Sequence, residues 1–114
     1  MTAGSEERSV SSEERSAAQA EIGRMRHRID EIDEQIVGLL AERTAAVRIL
    51  TEHKTDEDAV RSTDRVRQVL ARVEMLAERH DMPPQIARET YRSLIDQLTT
   101  MQLERLAQRR GTPA

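Results

Sequence analysis

The sequence has no cysteine, no tryptophan and no phenylalanine, and Tyr91 is its one aromatic residue. Without cysteine there is no disulfide, no thiolate metal site and no cysteine nucleophile. Sandwiches and barrels fill their interiors with aromatic and β-branched side chains, so an all-β fold is not expected. Glycine (4) and proline (3) are scarce over 114 residues, which leaves little material for turns and predicts few, long elements. No apolar run approaches the roughly 18 residues of a membrane span, so no membrane association is expected. Residues 1–16 lack the basic start and apolar stretch of a secretory leader, and a cytoplasmic location is expected. The three histidines, His27, His53 and His80, show no paired metal-ligand spacing. No Ser/His/Asp order, glycine-rich phosphate loop or HExxH motif occurs, so neither metal nor cofactor is expected.

What the sequence has in quantity is charge, at 34% of residues, with Arg, Glu, Ala and Leu dominant. That bias belongs to long helices, and the length suits one domain. The net charge of −3 gives no basic field, so nucleic acid is not an expected partner. Of the 18 basic residues, Lys54 is the one lysine and the other 17 are arginine. A compact ammonium in a chain that otherwise uses guanidinium is chemically distinct.

Residues 1–15 read as a flexible tail, 16–110 as a helical domain and 111–114 as a frayed end. Ser5-Glu-Glu-Arg and Ser12-Glu-Glu-Arg repeat a helix-start pattern, and the second can nucleate a helix. From about Ala17 to Lys54, apolar residues fall at Ile22, Met25, Ile29, Ile32, Ile36, Leu39, Val47 and Leu50, in steps of 3-4-3-4-3, then 8 and 3. This is a heptad stripe, and Arg43 occupies the position that would continue it. A helix of roughly 35 residues is about 50 Å long. A globule of this size is only about 26–30 Å across. A partner helix from a second copy is therefore expected to cover the stripe. Residues 55–61 read as a loop, and Ser62 or Thr63 as the cap of a second helix to about His80, with Val66, Val69, Leu70, Val73, Leu76 and Ala77 inward. After a break at Asp81-Met82-Pro83-Pro84, a third helix is expected to Arg109, with Ile86, Tyr91, Leu94, Ile95, Leu98 and Met101 inward.

Several polar residues interrupt these faces. Lys54 lies 11 residues after Arg43, a rotation of about 20°, so the two share a face about 16 Å apart. Gln102, seven residues after Ile95 and four after Leu98, falls on the core face of the third helix. Arg26 is rotated roughly 100° from Arg43 and can serve the same pocket only from a partner chain. Singly, each has a structural reading: a seam charge that sets register, a satisfied core amide, a helix-end dipole partner, a solvated flank. Jointly they form a set of cations that cannot neutralise one another, and a compact dicarboxylate would. The other arginines (Arg67, Arg72, Arg79, Arg88, Arg92, Arg105, Arg109 and Arg110) read as solvated surface.

The run Met25-Arg-His-Arg-Ile-Asp-Glu-Ile-Asp-Glu-Gln-Ile-Val-Gly-Leu-Leu-Ala-Glu-Arg43 resembles the first-helix signature of AroQ-type chorismate mutases, and Lys54 follows Arg43 at that family's spacing. Arg65 and Gln102 match further family positions, and the resemblance covers about residues 22–106. It implies an all-α, three-helix subunit with one very long first helix, paired in an intertwined homodimer. Each site would take Arg43, Lys54, Arg65 and Gln102 from one chain and Arg26 from the other. Arg26 and Arg43 would hold the substrate carboxylates, with Arg65 nearby. Lys54 and Gln102 would hydrogen-bond the ether oxygen while chorismate rearranges to prephenate. That chemistry requires no nucleophile and no metal.

Three positions that meet the substrate ring depart from the common pattern: Val66 stands for a Glu, Ser62 for an Asp and Leu98 for a Ser. The loop before Arg65 is about one residue short. In the short loop and the Arg65-Val66 pair the chain is similar to isochorismate pyruvate lyases, and around that pair also to 4-amino-4-deoxychorismate mutases. A non-catalytic helical dimer serving as an interaction module is the reading from a different class.

Overall fold

The computed structural model describes residues 11–111; residues 1–10 of the expected tail, including Ser5-Glu-Glu-Arg, and residues 112–114 of the expected frayed end lie outside it. The fold is all-α. Among the described residues there are four helices: α1 (Ser12–Thr51), α2 (Glu57–Arg61), α3 (Thr63–Arg79) and α4 (Pro84–Arg109). The chain divides into two units, one ending at Ala41 and one starting at Glu42.

The described part of the first unit is Ser11 and residues 12–41 of α1. The helix starts earlier than Ala17 because Ser11 caps it: the Glu14 N–H donates to Ser11 Oγ at 3.0 Å, and Glu13 and Glu14 complement the dipole of the first turn. The heptad residues are present at their expected positions, and within one chain they are bare. Ile22, Met25, Ile29, Ile36 and Leu39 are between 42% and 65% exposed.

The second unit holds the core. Helices α3 and α4 pack along one another, and α2 packs on α4. Val60, Leu70, Val73, Ala77, Ala87, Leu98 and Leu106 are buried, together with two polar residues, Thr51 and Gln102. The inward face of α3 is the one the periodicity predicts. In α4 one position differs. Ile86 is exposed and Ala87 is buried, on the face shared with Leu98, Gln102 and Leu106.

Two sequence expectations are overturned between α1 and α3. Residues 55–61 are not all loop. Asp56 accepts from the Ala59 N–H at 2.8 Å and starts a single helical turn whose Val60 is only 3% exposed. A cap and one buried apolar residue suffice for such a turn, and its acidic composition disguised it. Ser62 does occupy the N-cap position of α3 but makes no side-chain cap. It also ends α2 in the left-handed region, at φ 39°, rather than in the extended backbone usual for an N-cap. After α3, Asp81 takes the left-handed position (φ 58°), and Met82 N–H closes onto Ala77 O at 2.9 Å, a Schellman stop followed by the two prolines.

Four arginines expected to be plain surface do more. Arg105 pairs with Glu52 at 2.8 Å and Arg88 with Glu74 at 2.7 Å. Arg109 Nη1 donates to the carbonyls of Thr51 (2.9 Å) and Lys54 (3.1 Å), and Arg110 donates to Thr55 O. The last carbonyls of a helix have no partners within it and carry its negative dipole end, so a guanidinium is their natural complement. The end of α1 is thereby fixed to α4. Replacing Arg109 with Ala is expected to cost about 1–2 kcal/mol, because carbonyls lose a charged donor. Replacing Arg105, 48% exposed in its side chain, is expected to cost under about 1 kcal/mol. Denaturation at low and high salt separates them: the Arg105→Ala cost should fade in salt while the Arg109→Ala cost persists.

Candidate active site

A cavity of about 260 Å³ lies wholly within the second unit, between the last turns of α1, the α2–α3 junction and α4. Its volume suits a small ligand. Seven of the eight expected site residues line it: Arg43, Lys54, Ser62, Arg65, Val66, Leu98 and Gln102. Arg26 does not, and it is exposed in the first unit. The lining also includes Arg61 and Thr99, which sequence reasoning missed. Arg61 was hidden by the reading of residues 55–61 as loop. Thr99 was hidden because it borders, rather than interrupts, the apolar stripe of α4.

The cavity's charge is one-sided. Arg43, Lys54, Arg61 and Arg65 line it, and no Asp or Glu does. Four cations around a small, partly apolar space repel one another, and an anion there would be attracted by all of them. Arg43 is held by its stem and by Tyr91, whose ring centroid is 5.5 Å from the guanidinium carbon, a cation–π arrangement that orients the fork without neutralising it. The apolar side of the cavity is built from Val47, Leu50, Val66, Val69, Ile95 and Leu98. Val66 and Leu98 give a wall without hydrogen-bonding groups.

Lys54 and Gln102 meet directly. Lys54 Nζ donates to Gln102 Oε1 at 2.8 Å, and Thr51 Oγ1 lies 3.0 Å from the same oxygen. Gln102 is 6% exposed. A buried amide must be satisfied, and its oxygen is. An ammonium can only donate, so the amide oxygen must face Lys54, which turns the NH2 group away from it. Burial pushes the Lys54 ammonium below its ordinary value of 10.5. No carboxylate in the lining opposes that shift.

The sequence profile of the family described as chorismate mutase type II matches residues 25–103. That is 79 of 114 residues and includes every expected site position. The chain belongs to the chorismate mutase type II family. Neither a curated protein nor a solved structure matches it. Membership supports a chorismate mutase-family function on a chorismate-like substrate, and the cavity's small size and positive charge accord with a compact dianion. No helix among the described residues is long and apolar enough to cross a membrane.

Because Lys54 is the one lysine, its titration can be followed alone. A lysine whose pKa is lower in the folded chain than in the unfolded one binds its proton less readily when folded. The cost of burying the ammonium is then present in full at neutral pH. It is relieved as pH rises from the lowered value towards 10.5, a window in which fold stability gains while the cavity loses its ammonium. Carbon-13 NMR of the labelled lysine should give a midpoint below 10.5 in the ligand-free protein. A midpoint at or above that value would mean that the ammonium is not desolvated.

Proposed function

We propose that this protein is a chorismate mutase that converts chorismate to prephenate in the cavity bounded by Arg43, Lys54, Arg65 and Gln102. The observation that carries the reading is the pairing of an ammonium and an oriented amide in a space lined by three further cations and no carboxylate. The rearrangement is intramolecular. The ether C–O bond breaks as a C–C bond forms between the enolpyruvyl carbon and the ring, and negative charge grows transiently on the ether oxygen. Holding the side chain over the ring supplies an orientational advantage. Lys54 and the Gln102 NH2 group stabilise the growing charge. Arg43 and Arg65 take the carboxylates, and Val66 and Leu98 pack the ring.

The reading includes a homodimer. The bare stripe from Ile22 to Leu39 on α1 is an apolar face without a cover in one chain. A second copy of α1 would bury it and bring the partner's copy of Arg26 towards a carboxylate. A dimeric mass by light scattering at micromolar concentration is expected, and Ile29→Asp should shift it towards the monomer. A wild-type monomer would remove both the pairing and the shared site.

A second reading is favoured by Val66 and Leu98. Both line the cavity, and neither offers the ring hydroxyl a partner. A substrate whose ring substituents differ, isochorismate or 4-amino-4-deoxychorismate, would meet the same wall. Purified protein given chorismate and isochorismate separately decides between them: prephenate supports the mutase, and salicylate with pyruvate would replace it by a lyase. A third arm, 4-amino-4-deoxychorismate, covers the amino analogue, and no product from any of the three would leave a non-catalytic module. Lys54→Ala is expected to lower turnover by about 10²–10³-fold, with helicity by circular dichroism unchanged. Loss of the fold in that variant would count against a catalytic role for Lys54.

A further inference from the structure

Thr51 takes no part in the chemistry outlined above, yet it is the most deeply buried polar residue of the described chain, 2% exposed. Its single hydroxyl proton is shared between two acceptors, Val47 O at 2.7 Å and Gln102 Oε1 at 3.0 Å. Back-bonding to the carbonyl four residues earlier would satisfy a helix threonine by itself. The second contact, across 51 residues of sequence, is the one that local structure does not require.

We infer that Thr51 is a positioning residue, whose hydroxyl locks the Gln102 amide with its oxygen away from the substrate and its NH2 group towards it. The inference rests on the mutase reading for its catalytic consequence, but the locking itself does not. In the empty site, Lys54 alone would orient the amide. With substrate bound, the three Lys54 protons are drawn to the anion, and the Lys54–Gln102 bond weakens at the moment the amide orientation matters. Thr51 lies at the end of α1, anchored through Arg109, and its one competing acceptor, Val47 O at 2.7 Å, belongs to the helix itself and is the same with and without substrate. Gln102 also lines a second cavity of about 240 Å³, shared with Thr51, Arg48 and Glu52. An amide released by Thr51 therefore has another place to turn, where its NH2 can meet Glu52 or water. A flipped amide would present its oxygen to the ether oxygen and repel the charge it should stabilise.

Thr51→Val removes the donor at nearly constant volume, and Thr51→Ser restores it. For Thr51→Val, kcat on chorismate should fall about tenfold while KM stays within about twofold, the pattern of an interaction made only in the transition state. Thr51→Ser should return kcat to near wild type. In a Gln102→Ala background, Thr51→Val should have no further effect, because the residue acts through the amide. A loss of the same size in that background would overturn the inference, and so would wild-type kcat in Thr51→Val. NMR of the Gln102 side-chain amide in the ligand-free protein needs no turnover. Two sharp, separated NH2 protons are expected in wild type and Thr51→Ser, and exchange-broadened ones in Thr51→Val. Unaltered amide signals in Thr51→Val would refute the locking even if the protein turned over no substrate. Absence of turnover in wild type with the NMR change present would defeat the mutase reading alone. Thr51→Ala, read in the same way, serves if Thr51→Val fails to fold.

Discussion

The contact on which the site depends is the junction between the end of α1 and α4, where a helix terminus, a buried hydroxyl and a buried amide meet. Lys54 lies three residues beyond the last residue of α1, where a chain would ordinarily fray. It is kept in place because Arg109 holds the Thr51 and Lys54 carbonyls, and because Gln102 reaches the Lys54 ammonium from the buried face of α4. A charge at a frayed end would hydrate and wander over rotamers, at an entropic cost paid whenever a ligand bound. Fixing the backbone first makes the ammonium available at a defined point. The arginines that do this are ordinary exposed side chains, and their energetic contribution comes from which carbonyls they meet.

Much of this was legible in the sequence because it follows from period. The stripe from Ile22 to Leu50, the inward faces of α3 and α4, and Gln102 on the core side all follow from 3.6 residues per turn. The 11-residue interval from Arg43 to Lys54 puts two cations on one face only for a helix that continues to Lys54; α1 stops at Thr51, and both side chains line the cavity all the same. What could not be read depends on contacts distant in sequence or on a single turn. Arg109 and Glu104 look alike as surface charges, and only the three-dimensional path puts one of them on the end of α1. The five-residue α2 has no period to detect, and with it went Arg61. Thr51 sits next to the stripe without interrupting it, so its role depends on a partner 51 residues away.

The exposed half of α1 and the charged cavity present opposite problems with the same form. Each is a surface that one chain alone does not satisfy. An apolar stripe exposed over this length is a liability in water unless something covers it. Covering by a second copy is the reading favoured here, because a heptad stripe is self-complementary by construction. The cavity lacks charge compensation in the way the stripe lacks a cover, and a dianion is its complement.

That lack of compensation also bears on how the cavity would act on its ligand. Four cations without a carboxylate make the empty site electrostatically unfavourable, and burial, which lowers the pKa of Lys54, adds a desolvation cost of its own. Ion pairs with local carboxylates would relieve the strain but would have to be broken before an anion could bind, and their energy would be subtracted from affinity. Here Glu52, two residues before Lys54, is engaged instead by Arg105 and Arg109. Arg109, which anchors the helix end, thus also helps Arg105 keep an acid occupied that could otherwise pair with the lysine. A neutral partner, the Gln102 oxygen, orients Lys54 without neutralising it. A site built in this way gives up some stability of the empty protein to keep its positive charge free for the ligand, and part of the arrangement, the Glu52 ion pairs, lies outside the cavity.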